Sequence, residues 1–172
     1  MRFSVLVMLL AAGCATSTTE REGLPPLTTV PSLDLDRYMG TWFELASFPQ
    51  SFQAGCTATT ATYTKQSDGT IEVKNECRLG SPAGESKVAL GRARAGDSPA
   101  KLQVSFFGPF WADYWVIGLA DDYSWAVVGH PSRDYLWILS RTPALDDATY
   151  ARIVSDIAAR GYDTIKLVKT EH

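Results

Sequence analysis

From Gly40 onward the hydrophobic positions fall into short runs rich in Val, Ile, Thr, Tyr, Phe and Trp, separated about every ten residues by turn-forming residues. These runs predict eight strands, near Gly40–Phe48, Thr57–Lys65, Thr70–Arg78, Ser86–Ala95, Lys101–Phe106, Asp113–Ala120, Ser124–Gly129 and Tyr135–Arg141. The joints have chemistry of their own. Ser67-Asp68-Gly69 offers the positive φ of a hairpin, Gly96-Asp97-Ser98-Pro99 interrupts a ladder, and Pro131 stops the seventh strand. Past Pro143 the period changes to that of a helix: Tyr150, Ile153, Val154, Ile157 and Ala158 share one face, with Asp146-Asp147 suited to its start and Gly161 to its end. Such a helix needs an apolar surface to lie on, and the outside of a sheet supplies one. Thr164–Val168 is expected to add a short final strand.

Eight antiparallel strands that curl shut remove the exposed edges of an open sheet and leave room for one small ligand. A sandwich with a packed core fits the same pattern, so strand count alone leaves both architectures open. The 172 residues, 45% hydrophobic and 20% charged, enclose one core and not two. A formal charge of −3, with no stripe of Lys or Arg, argues against nucleic acid as a partner. No run approaches the ~20 apolar residues needed to cross a bilayer.

The only long apolar run, Phe3–Ala12, follows Met1-Arg2 and ends in Ala11-Ala12-Gly13, the layout of a secretory leader over 1–13. Cys14 directly after those small residues resembles the lipobox of bacterial lipoproteins, in which the thiol is acylated and becomes the first residue. The resemblance implies a membrane anchor at Cys14, and Ala15 in place of Asp implies the outer membrane, on its periplasmic face. Residues 14–32, rich in Thr, Ser and Pro, then read as a flexible tether to a domain over 33–172.

Gly40-Thr41-Trp42, after Leu35-Asp36-Arg37-Tyr38-Met39, resembles the opening signature of the lipocalins. It is reinforced by Val104-Ser105-Phe106-Phe107-Gly108-Pro109-Phe110 and by Arg133–Pro143, which contains Tyr135-Leu136-Trp137 and Arg141. Together these resemble the bacterial outer-membrane lipoprotein branch, and the similarity runs from about Leu35 to Val168. Asp121-Asp122-Tyr123 only loosely echoes the middle signature. The resemblance implies an all-β, eight-stranded up-and-down barrel with one C-terminal amphipathic helix packed outside. It also implies that Trp42 plugs the closed end, with the Arg141 guanidinium across its ring. Gly40, Trp42 and Arg141 are therefore structural in this reading.

In a regular strand Trp42, Glu44, Ala46 and Phe48 share one face, and Tyr135, Trp137, Leu139 and Arg141 share another. Leu136 and Ile138 are then free to receive the helix. Trp137, two pleats nearer the mouth than Arg141, is the first candidate for ligand contact. Tyr63 with Ala61, Phe106 and Tyr135 follow. Glu44 on an inward face needs a partner or a polar ligand group. A hairpin in which Lys65 faces Thr70 sets Leu79 opposite Cys56, two positions from Cys77, so export to an oxidising compartment predicts a Cys56–Cys77 disulfide.

Enzymatic signatures are sparse. His130 and His172 are the only histidines, so no three-His metal site can be assembled, and no nucleophile elbow or phosphate loop occurs. The expectation is a non-enzyme without metal or cofactor, holding a fatty acid or lysophospholipid for storage, transport or envelope maintenance. A homodimer is left open. The alternatives are a lipid-modifying enzyme in the same barrel, which an inward free thiol would favour, and a structural envelope lipoprotein with a filled barrel.

Overall fold

Nine strands form one antiparallel sheet that closes on itself, and the computed structural model describes it within residues 21–172. The leader 1–13, Cys14 and the first part of the tether lie outside the described residues. The strands are β1 (Gly40–Ser47), β2 (Cys56–Lys65), β3 (Ile71–Leu79), β4 (Ser86–Ser98), β5 (Lys101–Ser105), β6 (Ala112–Leu119), β7 (Trp125–Gly129), β8 (Leu136–Ser140) and β9 (Val168–Lys169). Each of the first seven pairs with the next, and β1 pairs with both β8 and β2, which shuts the barrel. A short helix α1 (Leu35–Tyr38) lies before β1, and α2 (Asp147–Ala159) packs outside. The up-and-down order sends the β1–β2, β3–β4, β5–β6 and β7–β8 connections to one end and the alternate connections to the other.

Helix α2 begins where Asp146 Oδ1 accepts the Thr149 amide at 2.9 Å, a side-chain cap on an otherwise unpaired donor. Its Ile153 and Ile157 bury against the outward faces of Ile117, Leu136 and Ile138, so β8 presents Leu136 and Ile138 to the helix as its alternation requires. Inside the barrel a separate cluster holds Tyr38, Trp42, Tyr63, Ile71, Val73, Ala93, Val116, Val128 and Leu139.

Four local expectations change. First, the register of β1 shifts between Glu44 and Ala46, so the single face of Trp42, Glu44, Ala46 and Phe48 is broken: Trp42 stays inside while Ala46 and Phe48 join the outer cluster. Second, Lys65 faces Ile71 in place of Thr70, because Asp68 Oδ1 accepts both the amide and the hydroxyl of Thr70 and enlarges the turn. A second shift between Thr57 and Thr60 then restores the register, so Cys56 does face Leu79 and is joined to Cys77. Third, β4 runs on to Ser98 through an irregularity after Ala95, and Pro99 stands in the turn, where it owes the ladder no amide. Fourth, Thr164–Lys166 is a 3-10 turn and only Val168–Lys169 pairs, at Ser47 and Ala46, where β1 has already parted from β2. The Ala58 amide reaches the Glu171 carbonyl, so the C-terminal segment fills the seam between β1 and β2.

The tether also differs from its compositional reading. From Leu24 on it is packed as a strap: Leu27 is buried beside α2, and the Val30 amide donates to the Val116 carbonyl at 2.9 Å. Apolar residues at Leu24, Leu27, Val30 and Leu33 supply the contacts that the Thr and Pro content hides.

Candidate ligand-binding site

One end of the barrel is sealed by a few residues around α1. Asp34 Oδ1 accepts the amides of Asp36 and Arg37 and starts that helix, after which Gly40 turns the chain into β1 with a φ of +90°. A Cβ at Gly40 would sit in ordinary contact, 3.5 Å from Arg141 Nη1, so it is the backbone conformation and not space that selects glycine. Trp42 is fully buried above this turn and donates from Nε1 to the Tyr38 carbonyl at 2.8 Å. The Arg141 guanidinium carbon lies 3.7 Å from the centre of the Trp42 ring. Its nitrogens donate to the carbonyls of Thr41 (2.8 Å), Arg37 (2.8 Å), Tyr38 (3.2 Å) and Met39 (2.9 Å). One side chain thus collects the carbonyls that a tight helix-to-strand turn leaves over. Burial holds the Arg141 pKa below its usual value.

The Asp121-Asp122-Tyr123 turn clasps the same end from the far side. Tyr123 accepts the Asp34 amide at 2.8 Å, while Arg37 stacks on the Tyr123 ring at 4.0 Å and donates to the Asp121 carbonyl.

Above Trp42 is a floor of three phenols. The Tyr114 hydroxyl lies 2.8 Å from that of Tyr38 and 2.7 Å from that of Tyr63. Burial raises all three pKa values: Tyr63 to about 12, and Tyr38 and Tyr114 well above the ordinary range, with Tyr114 pushed further by both phenol neighbours and Tyr38 by Tyr63 against the opposing hydrogen bond from Tyr114. The three protons therefore stay in place across the physiological range, and the floor is neutral and mutually satisfied.

Toward the other end the interior opens. Lys87 and Ala89 of β4 pair with Cys77 and Asn75 on the inward side, in step with buried Ala93 below them, yet both are exposed. On the inward face Phe106 lies against Gly91, where a Cβ would come within 2.7 Å of its ring, so glycine lets the aromatic wall close over β4. A groove of about 450 Å³ on the flank is lined by exposed Gln66, Asp68, Glu72 and Arg92 and reaches Gly91 and Phe106 of the same wall.

Three of the five residues singled out from sequence meet at the mouth. Tyr135 stacks on Trp137 with ring centres 6.2 Å apart and planes 17° apart. Trp137 Nε1 donates to Gln53 Oε1 at 3.1 Å, and Gln53 Nε2 donates to Glu44 Oε2 at 2.8 Å. Glu44, almost fully buried, also accepts from Ser47 (2.9 Å) and Thr170 (2.8 Å) at Oε1. Its carboxylate is thus held by three donors, with no ion pair to it among the described residues, and the hydrogen bonds offset part of its desolvation cost. The other two stand apart: Tyr63 belongs to the floor and Phe106 to the opposite wall. Sequence reasoning missed Gln53, Tyr38, Tyr114 and Thr170. Gln53 sits in a 3-10 turn (Ser51–Gln53) that no periodicity marks, and Thr170 reaches Glu44 only because the C-terminus fills the seam.

Cys56 and Cys77 are joined, so neither presents an inward thiol. No group of three or more His, Cys, Asp or Glu suited to a metal occurs among the described residues, and no helix there is long and apolar enough to cross a membrane.

A closed antiparallel barrel of eight up-and-down strands, stoppered at one end, with an aromatic pair and a few polar groups at the other and one helix packed outside, defines the class of small up-and-down barrels. The chain belongs to the lipocalins, a family that binds small hydrophobic ligands: a model described as a lipocalin-like domain matches residues 33–172. It is 41% identical over 152 residues to temperature-induced lipocalin-1 of Arabidopsis thaliana, covering 84% of this chain and 82% of the relative. It is 38% identical over 161 residues to outer membrane lipoprotein Blc of Escherichia coli K12, covering 92% of this chain and 88% of that one. Among solved structures, insecticyanin from the tobacco hornworm Manduca sexta has a TM-score of 0.67 at 21% identity, with 87% of this chain and 86% of that chain covered.

Proposed function

We propose that the protein is an outer-membrane lipocalin, anchored through acylated Cys14, that holds one fatty acid or lysophospholipid in its cup for lipid storage, transport or envelope maintenance. The single observation that carries the ligand reading is the pairing of Trp137 with the Gln53–Glu44 hydrogen-bond chain at the mouth of an otherwise apolar, partly aromatic interior. An acyl chain gains about 25 cal/mol per Å² of apolar area removed from water against Trp137, Tyr135 and Phe106, with Tyr63 below. A headgroup rich in oxygen or bearing a cationic amine finds donors on Gln53 and a carboxylate on Glu44. The likeness to a protein named as an outer membrane lipoprotein supports the anchor and the address.

The test is a titration of the purified chain with lysophosphatidylcholine, oleate and a short-chain alcohol, followed by tryptophan fluorescence and by native mass spectrometry. One molecule of long-chain lipid per barrel is expected, with quenching that largely disappears in Trp137→Leu. Absence of bound lipid in both measurements overturns the reading.

A further inference from the structure

We infer that the open end of the barrel, and not its closed end, faces the lipid surface, with the β5–β6 loop inserted among the headgroups. This rests on the proposed anchor at Cys14 for its leash, and on the rim for its contact.

The leash comes from where the strap is pinned. Arg133, in the β7–β8 connection at the mouth, donates from Nη2 to the Pro25 carbonyl at 2.7 Å. Leu24 lies against Gly161, just past the end of α2, whose Arg160 donates to the Thr28 carbonyl at 3.2 Å. Tyr162 follows, bonded to the backbone of His130 in the same connection. From there the strap descends to Val30 and Leu33 at the sealed end. The chain that leads back to Cys14 therefore leaves the barrel at its open end. Eleven Cα–Cα steps lead from Cys14 to Pro25. At most ~3.6 Å each, they reach about 40 Å when fully extended. A barrel standing on its sealed end would need that leash to run back along a wall whose ten-residue β2 spans roughly 33 Å along the strand, or about 25 Å along the axis at a tilt of ~40°. A chain held to more than half of its full extension is entropically costly. A barrel resting on its mouth needs only a short, slack leash.

The rim fits that placement. Phe107 and Phe110 are 80% and 77% exposed in the β5–β6 loop, and Phe52 is 55% exposed in the β1–β2 connection. Leu79, Tyr135 and Ile165 add exposed apolar surface at or beside the other connections of this end. Among the described residues, the connections at the sealed end expose no large hydrophobic side chain. Lipid then passes between leaflet and cup beneath the rim without crossing water.

Hydrogen exchange of the full acylated chain on phosphatidylcholine–phosphatidylglycerol vesicles tests this against the same chain in detergent-free buffer with its Cys14 replaced by Ser. Amides of Phe106–Ala112 and Ser51–Ala54 are expected to slow several-fold on vesicles, while Gln66–Thr70 and Asp121–Ser124 keep their rates. Phe107→Ser with Phe110→Ser should lose the slowing yet remain on the vesicles. Slowing at the sealed-end turns, or at neither end, overturns the proposal. So does slowing of the β5–β6 loop that appears with protein concentration and no vesicles, since a second copy would then cover the rim. The mass of the Cys14 peptide separately decides the anchor: an unmodified Cys14 sinks that reading, and vesicle-induced slowing in Cys14→Ser would leave the rim contact standing without it.

Discussion

The two ends of this barrel are made from different materials. At the sealed end, one arginine and one tryptophan bring together a cation–π contact and four carbonyl interactions beneath the buried side chains of Tyr38 and Tyr63. At the mouth, contacts are spread over hydrogen bonds between neutral amides, an indole and one carboxylate, in loops that also expose apolar side chains. The contrast separates two jobs. The contacts that close the barrel are concentrated at the sealed end, and under the proposed function the other half is left free to exchange contacts with a ligand.

The sharpest way to break the contrast is at the guanidinium. Arg141→Ala strands the carbonyls of Arg37, Tyr38, Met39 and Thr41 and uncovers Trp42, so urea denaturation should report a loss of about 4 kcal/mol. Arg141→Lys, which keeps charge but not the planar fork, should recover less than half of that. Joint replacement of Cys56 and Cys77 by Ser should cost about 3 kcal/mol, with near-ultraviolet circular dichroism of the Trp42 environment unchanged at moderate temperature. At the mouth the order reverses. Trp137→Leu should weaken lipid binding about ten-fold, ~1.4 kcal/mol, while the urea midpoint moves little.

Acid and alkali should distinguish the ends as well. Tyr63 in the floor has a folded pKa of about 12 against an ordinary 10.0. Its contribution is therefore intact below pH 10 and is lost as pH rises from 10 toward 12, and absorbance at the phenolate band should rise together with unfolding. His130, at the mouth, is lowered from 6.5 because burial outweighs the pull of Asp113 and Asp134. Its contribution is present above pH 6.5 and declines as pH falls through the folded value. This smallest effect should show as a shallow drop in melting temperature on mild acidification, absent in His130→Gln.

Much of the sealed end is legible before any coordinates exist, because its residues lie in contiguous signatures: Gly40 and Trp42 at the head of β1, Arg141 just past β8. Alternation likewise assigns Leu136 and Ile138 to the helix and Trp137 and Leu139 to the interior. What periodicity cannot carry is an irregularity. The shift after Glu44 sends Ala46 and Phe48 outward although they keep even spacing from Trp42, and no residue type announces it. The enlarged turn at Asp68 and the irregularity at Ala58 cancel, so the correct facing of Cys56 and Leu79 arises by a different route from the one the turn alone suggests. Gln53 and Thr170 reach Glu44 from segments far apart in sequence, which local reasoning has no means to join.

The seam filler has a practical consequence. His172 Nε2 lies 2.7 Å from the Glu44 carbonyl and its ring packs edge-on to Phe43, so the C-terminal side chain is part of the wall. A purification tag or fluorescent fusion appended there would pull on the joint between β1 and β2, and through Thr170 on the carboxylate at the mouth. Reporters intended to leave ligand affinity untouched belong instead on the β2–β3 hairpin, at Ser67, where the chain turns in solvent at the opposite pole.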